Sequence, residues 1–269
     1  MPELPEVETT RRGLEPHVKG RRVVALTVHE PRLRWPVPDD LPSKLAGQRI
    51  VGTGRRAKYL LIKLKSGTLV VHLGMSGSLR VVPADTPRLP HDHYDLLLDS
   101  GKTLRFNDPR RFGSLHYTTG DPEQHPLLAR LAPEPLGPEF NADYLWRITR
   151  RRRASIKQVL MNSRLVVGVG NIYAAETLFR ARIRPRRQAR SLTRKEVAWL
   201  VREVQIVLEH SIKVGGSTIR DYVGADGEPG RFGHTFYVYD RKTCRLCRTP
   251  IRRLTQQGRS SYYCPLCQL

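Results

Sequence analysis

Four cysteines, Cys244-x2-Cys247 and Cys264-x2-Cys267 with 16 residues between the pairs, constrain this chain more than any other feature. Each pair puts two thiolates on one turn, and two such turns complete a tetrahedral metal site. All four lie after residue 243 of 269, which argues for a metal site and against a disulfide framework. Between the pairs, residues 251–255 and 260–263 can form a β-hairpin with Gln256-Gln257-Gly258-Arg259 near its tip. Four cysteines leave no open coordination position, so the expected single zinc ion is structural, and no organic cofactor is expected.

The formal net charge of +22 favours a polyanionic partner, either nucleic acid or an anionic membrane. No apolar run is long enough to span a bilayer and no stretch reads as a signal peptide. A soluble, intracellular protein with no membrane partner is therefore expected. The charge is also unevenly spread. Between Arg147 and Arg190 there are 13 Lys or Arg and one acid, Glu176, an imbalance that points to a phosphate-binding surface. Residues 240–269 carry seven Lys or Arg against one Asp, so the hairpin presents basic residues too.

Residues 5–18 read as a helix, with Val7, Leu14 and Val18 near one face and Gly20 as a stop. Short β-rich runs follow at 23–28, 49–53, 58–64, 68–73, 94–98, 103–106 and 114–117, punctuated by Gly, Pro and Asp. With no helix between them they predict an antiparallel sandwich or barrel. A Pro-rich linker then leads to helical spacings over 141–212. In 195–210 the residues Val197, Leu200, Val201, Val204 and Leu208 make an apolar stripe of the kind that faces a core. Residues 214–234 are rich in Gly and polar residues and longer than most loops, a length that marks functional lids or disorder.

Four further stretches carry possible chemistry. If Met1 is removed, Pro2 becomes a free secondary amine able to form an iminium with an electrophilic sugar carbon. Such an amine titrates near about 7.7–8.0, so a neutral fraction exists at neutral pH. Glu3 and Glu6 lie close enough to act as acid, base or electrostatic stabiliser, although Pro5-Glu6 followed by Glu8 equally suits a plain helix start. Gly168-Val169-Gly170-Asn171-Ile172-Tyr173 is a Gly-rich turn into helical residues 174–180, with Asn171 as a candidate N-cap. Such a turn can bind phosphate or be a ligand-free helix connection. His72-Leu73-Gly74-Met75-Ser76-Gly77 and Asn107-Asp108-Pro109-Arg110-Arg111-Phe112-Gly113 sit at strand ends. There Met75, Arg110 and Phe112 can serve as wedges between bases, or as two core residues and a surface charge.

Together these pieces, in this order along the whole chain, resemble the bacterial formamidopyrimidine-DNA glycosylase family. The resemblance rests on Pro2-Glu3-Leu4-Pro5-Glu6, on Lys58 in Arg55-Arg56-Ala57-Lys58-Tyr59-Leu60, on the motifs at 72–77, 107–113 and 168–173, and on the four-cysteine finger with Arg259. It implies an α+β multidomain fold. Residues 1–118 would form an antiparallel β-sandwich with an N-terminal helix, and 119–138 a linker. Residues 139–235 would form a helical domain with a helix-two-turn-helix and a lesion-capping loop at about 214–234, and 236–269 a four-cysteine zinc-finger β-hairpin. DNA would lie in the cleft between.

The implied activity is that of a bifunctional DNA glycosylase and abasic-site lyase of base excision repair. It would excise oxidised purines such as 8-oxoguanine and formamidopyrimidines by a Schiff base and β,δ-elimination. Its partner would be double-stranded DNA bearing an oxidised purine or abasic site, its state monomeric, its place the bacterial cytoplasm at the nucleoid. Carried over by matching positions, Pro2 is the nucleophile, Glu3 assists ring opening and proton transfers, and Glu6 supports the site. Lys58 and Arg259 belong to the catalytic set and, with His72 and Asn171, grip phosphates. Lys157 lies near the lesion nucleotide, and Met75, Arg110 and Phe112 fill the gap left by the flipped base. Ser217, Thr218, Ile219, Arg220, Asp221 and Tyr222 match the segment that closes over it. Flipping is required because the glycosidic carbon is inaccessible within the stack.

The chain departs from that family's pattern in two places. Val238-Tyr239-Asp240-Arg241-Lys242-Thr243 is shorter than usual before the first zinc cysteine and lacks Gly, and Arg150-Arg151-Arg152-Arg153 is a denser basic run than the motif requires. Two other readings compete. One is an endonuclease VIII-like glycosylase for oxidised pyrimidines, in which Gly typically replaces Leu4 and the wedge set is missing. The other is a non-catalytic zinc DNA-binding protein, which leaves Pro2, Glu3 and Glu6 without a purpose.

Overall fold

The chain's first helix forms where two local signals coincide. In the computed structural model, which describes residues 2–217 and 230–269, α1 spans Leu4–Val18, with Glu3 as N-cap in a reciprocal capping box with Glu6. The box satisfies two backbone donors that a helix start otherwise strands. Past its end, Gly20 takes φ +81°, a left-handed turn that costs glycine nothing. Val7, Leu14 and Val18 are fully buried and share one apolar core with the strands that follow.

Those strands form two antiparallel sheets of four. One runs β1 (Val23–Val28), β6 (Asp92–Leu98), β7 (Lys102–Asn107), β5 (Ser78–Pro83). The other runs β2 (Ile50–Arg56), β3 (Tyr59–Leu64), β4 (Gly67–His72), β8 (Ser114–Thr118). Leu26, Leu96, Leu104 and Phe106 of the first sheet and Leu60, Ile62, Leu69 and Leu115 of the second fill the common core. Two elements are additional to the sequence expectation. Edge strand β5 ends on Pro83, which an edge tolerates because its missing N–H faces no partner. The five-residue α2 (Leu41–Leu45) falls between β1 and β2 and buries only Leu41 and Leu45, too few residues to show a helical period.

The chain divides into two units, Met1–Ala129 with Gly215–Arg231 and Arg130–Val214 with Phe232–Leu269. The second is built on α3 (Ala142–Thr149), α4 (Ile156–Leu160), α5 (Asn171–Arg180) and α6 (Arg194–Lys213). Each of the first, second and fourth has a side-chain N-cap, Asn141, Ser155 and Thr193. The α6 stripe is buried as its spacing predicts, with Val207 added to it. The C-terminal hairpin pairs β9 (Arg252–Gln256) with β10 (Arg259–Tyr263). Its two turn residues, Gln257 at φ +48° and Gly258 at φ +72°, make the tight connection whose twist matches that of the strands.

Candidate functional site

Pro2 is buried at the mouth of α1, and the two acids beside it are almost fully buried as well, at 2% and 1% exposure for Glu3 and Glu6. The Glu3 amide donates to Glu6 Oε2 at 2.8 Å. Glu6 Oε1 accepts from the Ser217 amide at 2.7 Å and from its hydroxyl at 2.9 Å. Pro2, the Glu3 carboxyl group and a second carboxylate anchored by three donors thus lie together at the start of α1. Of the segment expected to close over the site, Ser217 alone is among the described residues; Thr218, Ile219, Arg220, Asp221 and Tyr222 lie outside them.

Lys58 sits in the two-residue turn between β2 and β3, after Ala57 at φ +54°. The β3–β4 register pairs Tyr59 with His72, and their rings stand 4.8 Å apart, so the turn brings Lys58 beside His72. His72 Nδ1 accepts the Gly74 amide at 3.0 Å, which leaves the ring proton on Nε2, free to donate. Burial pushes the imidazole down to about pKa 4, with Lys58, Arg34 and His116 adding to the shift. A neutral donor beside a cation is a suitable pair for a phosphodiester oxygen.

The two loops expected to carry wedges touch each other. A Cβ on Gly74, itself at φ +71°, would lie 2.5 Å from the Gly113 nitrogen, so only glycine permits the approach. Met75 and Phe112 stand 40% and 42% exposed in a fold that buries most large apolar side chains. The Arg110 guanidinium lies 4.9 Å above the Phe112 ring. The reading of Met75 and Phe112 as core residues does not hold.

In the second unit Asn171 opens α5 as its first helical residue, and Gly170, not Asn171, is the N-cap. Among the described residues the Asn171 Oδ1 is buried without a hydrogen-bond partner, and the amides of this ten-residue helix start beside it. Arg259 is exposed at the start of β10 and lines a cleft of about 400 Å3 with Arg152, Gln158, Met161 and Gln256. Lys157 lies in α4 of the second unit. It is 1% exposed, and its ammonium donates to the Ser260 carbonyl at 3.0 Å and the Ser261 hydroxyl at 2.6 Å, pinning α4 to the hairpin. The basic run resolves into distinct jobs. Arg150 stacks 3.5 Å from the Trp146 ring centroid and donates to the carbonyls of Ala189, Arg190 and Leu192, while Arg151, Arg152 and Arg153 are exposed.

The four cysteine sulfurs lie within 4.8 Å of one another, with closest separations of 3.4, 3.5 and 4.0 Å. A tetrahedron with metal–sulfur bonds of about 2.3 Å has edges of about 3.8 Å, so the thiolates fit zinc. The finger is seated by Glu176, a buried α5 carboxylate that accepts three consecutive amides, Tyr237, Val238 and Tyr239, at 2.7 to 3.0 Å. Where a glycine is missing, Asp240 takes φ +54° itself and accepts the Tyr262 hydroxyl at 3.1 Å. Sequence reasoning left Glu176 and Asp108 without roles. The only signal was negative: Glu176 is the lone acid in a strongly basic stretch.

Comparison with known proteins covers nearly all of the chain. Residues 1–115 match the formamidopyrimidine-DNA glycosylase N-terminal domain, 131–223 the H2TH domain of the same enzymes, and 241–269 a zinc finger found in FPG and IleRS. The chain is 58% identical to a formamidopyrimidine-DNA glycosylase of Thioalkalivibrio sulfidiphilus, over 100% of both chains. Among solved structures, MutM (Fpg) of Thermus thermophilus superposes with a TM-score of 0.89 at 40% identity, covering 99% of this chain and 98% of that one. A mutant of the Lactococcus lactis protein in complex with a Fapy-dG containing DNA gives 0.92 at 32% identity, covering 99% of each.

Proposed function

The chain belongs to the formamidopyrimidine-DNA glycosylase family, and from that membership we propose that it excises oxidised purines from duplex DNA through a Schiff base on Pro2. It is a DNA glycosylase of base excision repair that also acts as an abasic-site lyase. One observation carries the assignment of its nucleophile: Pro2 stands buried at the start of α1 beside two buried acids, Glu3 and Glu6, of which Glu6 is held by the Glu3 amide and by Ser217.

With Met1 removed, the Pro2 nitrogen attacks the anomeric carbon of the flipped nucleotide as the bond to the base breaks. Glu3 exchanges protons with the opening sugar ring. The attached nitrogen loses its proton, and its lone pair then expels O4′, which takes up a proton as the sugar ring opens, leaving an iminium. This electron sink acidifies the C2′ proton, whose loss expels the neighbouring phosphate. Lys58 and His72 in one unit, and Asn171 and Arg259 in the other, hold phosphodiester oxygens as charged or neutral donors. Met75, Arg110 and Phe112 fill the vacated stack, with Arg110 directed at the estranged base. Its guanidinium fork matches the adjacent O2 and N3 acceptors of cytosine, whereas adenine offers an acceptor beside a donor. Zinc, held by Cys244, Cys247, Cys264 and Cys267, keeps the finger folded and takes no part in the chemistry.

Borohydride trapping on an 8-oxoguanine duplex tests the assignment. The expected result is a covalent complex whose DNA-linked peptide begins at Pro2, and protein retaining Met1 should form none. An adduct mapping to Lys58 or Lys157 overturns the proposal.

A further inference from the structure

All three wedge residues are tied to a single carboxylate, that of Asp108, which is fully buried. Asp108 Oδ1 accepts the Ser76 hydroxyl at 2.7 Å, and Ser76 follows Met75 directly. The same oxygen accepts the backbone amide of Arg110 at 3.3 Å. Oδ2 accepts the amide of Gly113 at 2.8 Å, the residue after Phe112. The Asp108 carbonyl in turn takes His93 Nε2 at 2.7 Å, fixing the loop to β6. Two loops 32 residues apart in sequence thus meet on one side chain that reaches neither bulk solvent nor the wedge surface.

We propose that Asp108 is a positioning residue that sets the register of Met75, Arg110 and Phe112, and through it the choice of base opposite the lesion. This rests on the wedge reading given above. The physical reason is directional. A fork contact to a base edge discriminates only when its two N–H groups arrive in plane and in register. An arginine on an exposed loop keeps that register only if its backbone is held. The donors to Asp108 hold it from three sides, and none of them is replaceable by water at a fully buried oxygen.

Single-turnover excision of 8-oxoguanine opposite cytosine and opposite adenine provides the test, because the ratio of the two rates reads the wedge and not the amount of folded enzyme. Asp108→Asn turns one accepting oxygen into an NH2 facing a donor. It is expected to lower the cytosine-to-adenine ratio by at least about fivefold, the lower end of what one bidentate base contact provides. Ser76→Ala removes one donor without creating a buried charge, and it should move the ratio the same way by less. That variant decides the matter if Asp108→Asn does not fold. Arg110→Ala is the reference for loss of the reader. If Arg110→Ala lowers the ratio while Asp108→Asn and Ser76→Ala slow both duplexes equally, Asp108 is merely structural and the inference fails alone. If Arg110→Ala leaves the ratio unchanged, the wedge reading falls and this inference with it.

Discussion

Glu6 holds Ser217 across 211 residues of sequence, accepting both its amide and its hydroxyl through one carboxylate oxygen. The other oxygen takes the Glu3 amide, so the first turn of α1 and the residue that leads into 218–229 share one buried group. Gly216, just before Ser217, sits at φ +82°, and a Cβ there would come within 3.1 Å of Glu6 Oε1. The left-handed backbone favours glycine here, and the close approach to Glu6 adds to that preference.

Replacing Glu6 by Gln keeps the shape and presents an NH2 to at least one backbone N–H. The expected cost is about 1–3 kcal/mol of stability, the range for a buried donor left unpaired. Single-turnover excision should slow by roughly tenfold or more, equivalent to about 1.4 kcal/mol of lost positioning. Denaturant unfolding and rapid-quench kinetics on the same preparation measure both. Wild-type excision by Glu6→Gln would show that the tether to Ser217 has no part in catalysis.

Removing zinc should unfold the finger and weaken DNA binding together, because metal-binding energy in such a site is folding energy. A chelator is expected to release one zinc per chain and to expose four thiols to titration. Full affinity and cleavage in the metal-free protein would refute this.

His72 should remain neutral well into the acid range. Its pKa is pushed down to about 4, first by burial and then by Lys58, Arg34 and His116, while an unfolded histidine titrates near about 6.5. Between those values the unfolded chain binds a proton that the folded chain refuses, so stability falls as pH drops from about 6.5 to about 4 and levels off below. A ring-proton NMR titration of the free protein checks the midpoint. A value near that of unfolded histidine would be the wrong answer.

Arg259→Ala should flatten the salt dependence of duplex binding. Each neutralised phosphate contributes about −0.9 to the slope of log affinity against log salt on duplex DNA, so the variant's slope should be shallower by about that amount. Fluorescence anisotropy over a salt series reads it directly. An unchanged slope would remove Arg259 from the phosphate contacts.

The parts of this fold that were legible in the sequence are those with a local period or a fixed spacing. The α6 stripe, the two Cys-x2-Cys pairs and most strand cores of the sandwich need only neighbours along the chain to be read. α2 and β5 escaped because one is a single turn and a half and the other an edge strand with a mixed burial pattern. The site divided the same way. Pro2 and Glu3 are adjacent in sequence, whereas the partners of Glu6, Asp108, Lys157 and Glu176 lie 211, 32, 104 and 62 residues away. No spacing rule reports such pairings. Lys157 shows the cost: its burial against Ser260 and Ser261, more than 100 residues on, leaves no mark in the local sequence.

The seat of the finger has a consequence for its portability. Zinc hairpins of this kind look like cassettes, self-contained because the metal folds them. Here the hairpin arrives with Ser260 and Ser261 already matched to the Lys157 ammonium, and the turn that leads into the finger delivers the amides of Tyr237, Val238 and Tyr239 to the Glu176 carboxylate. A recipient that keeps Lys157 and Glu176 but receives a finger that cannot offer those partners would bury both side chains unsatisfied. Exchange between relatives thus requires the recipient's helices and the incoming finger to match at these contacts.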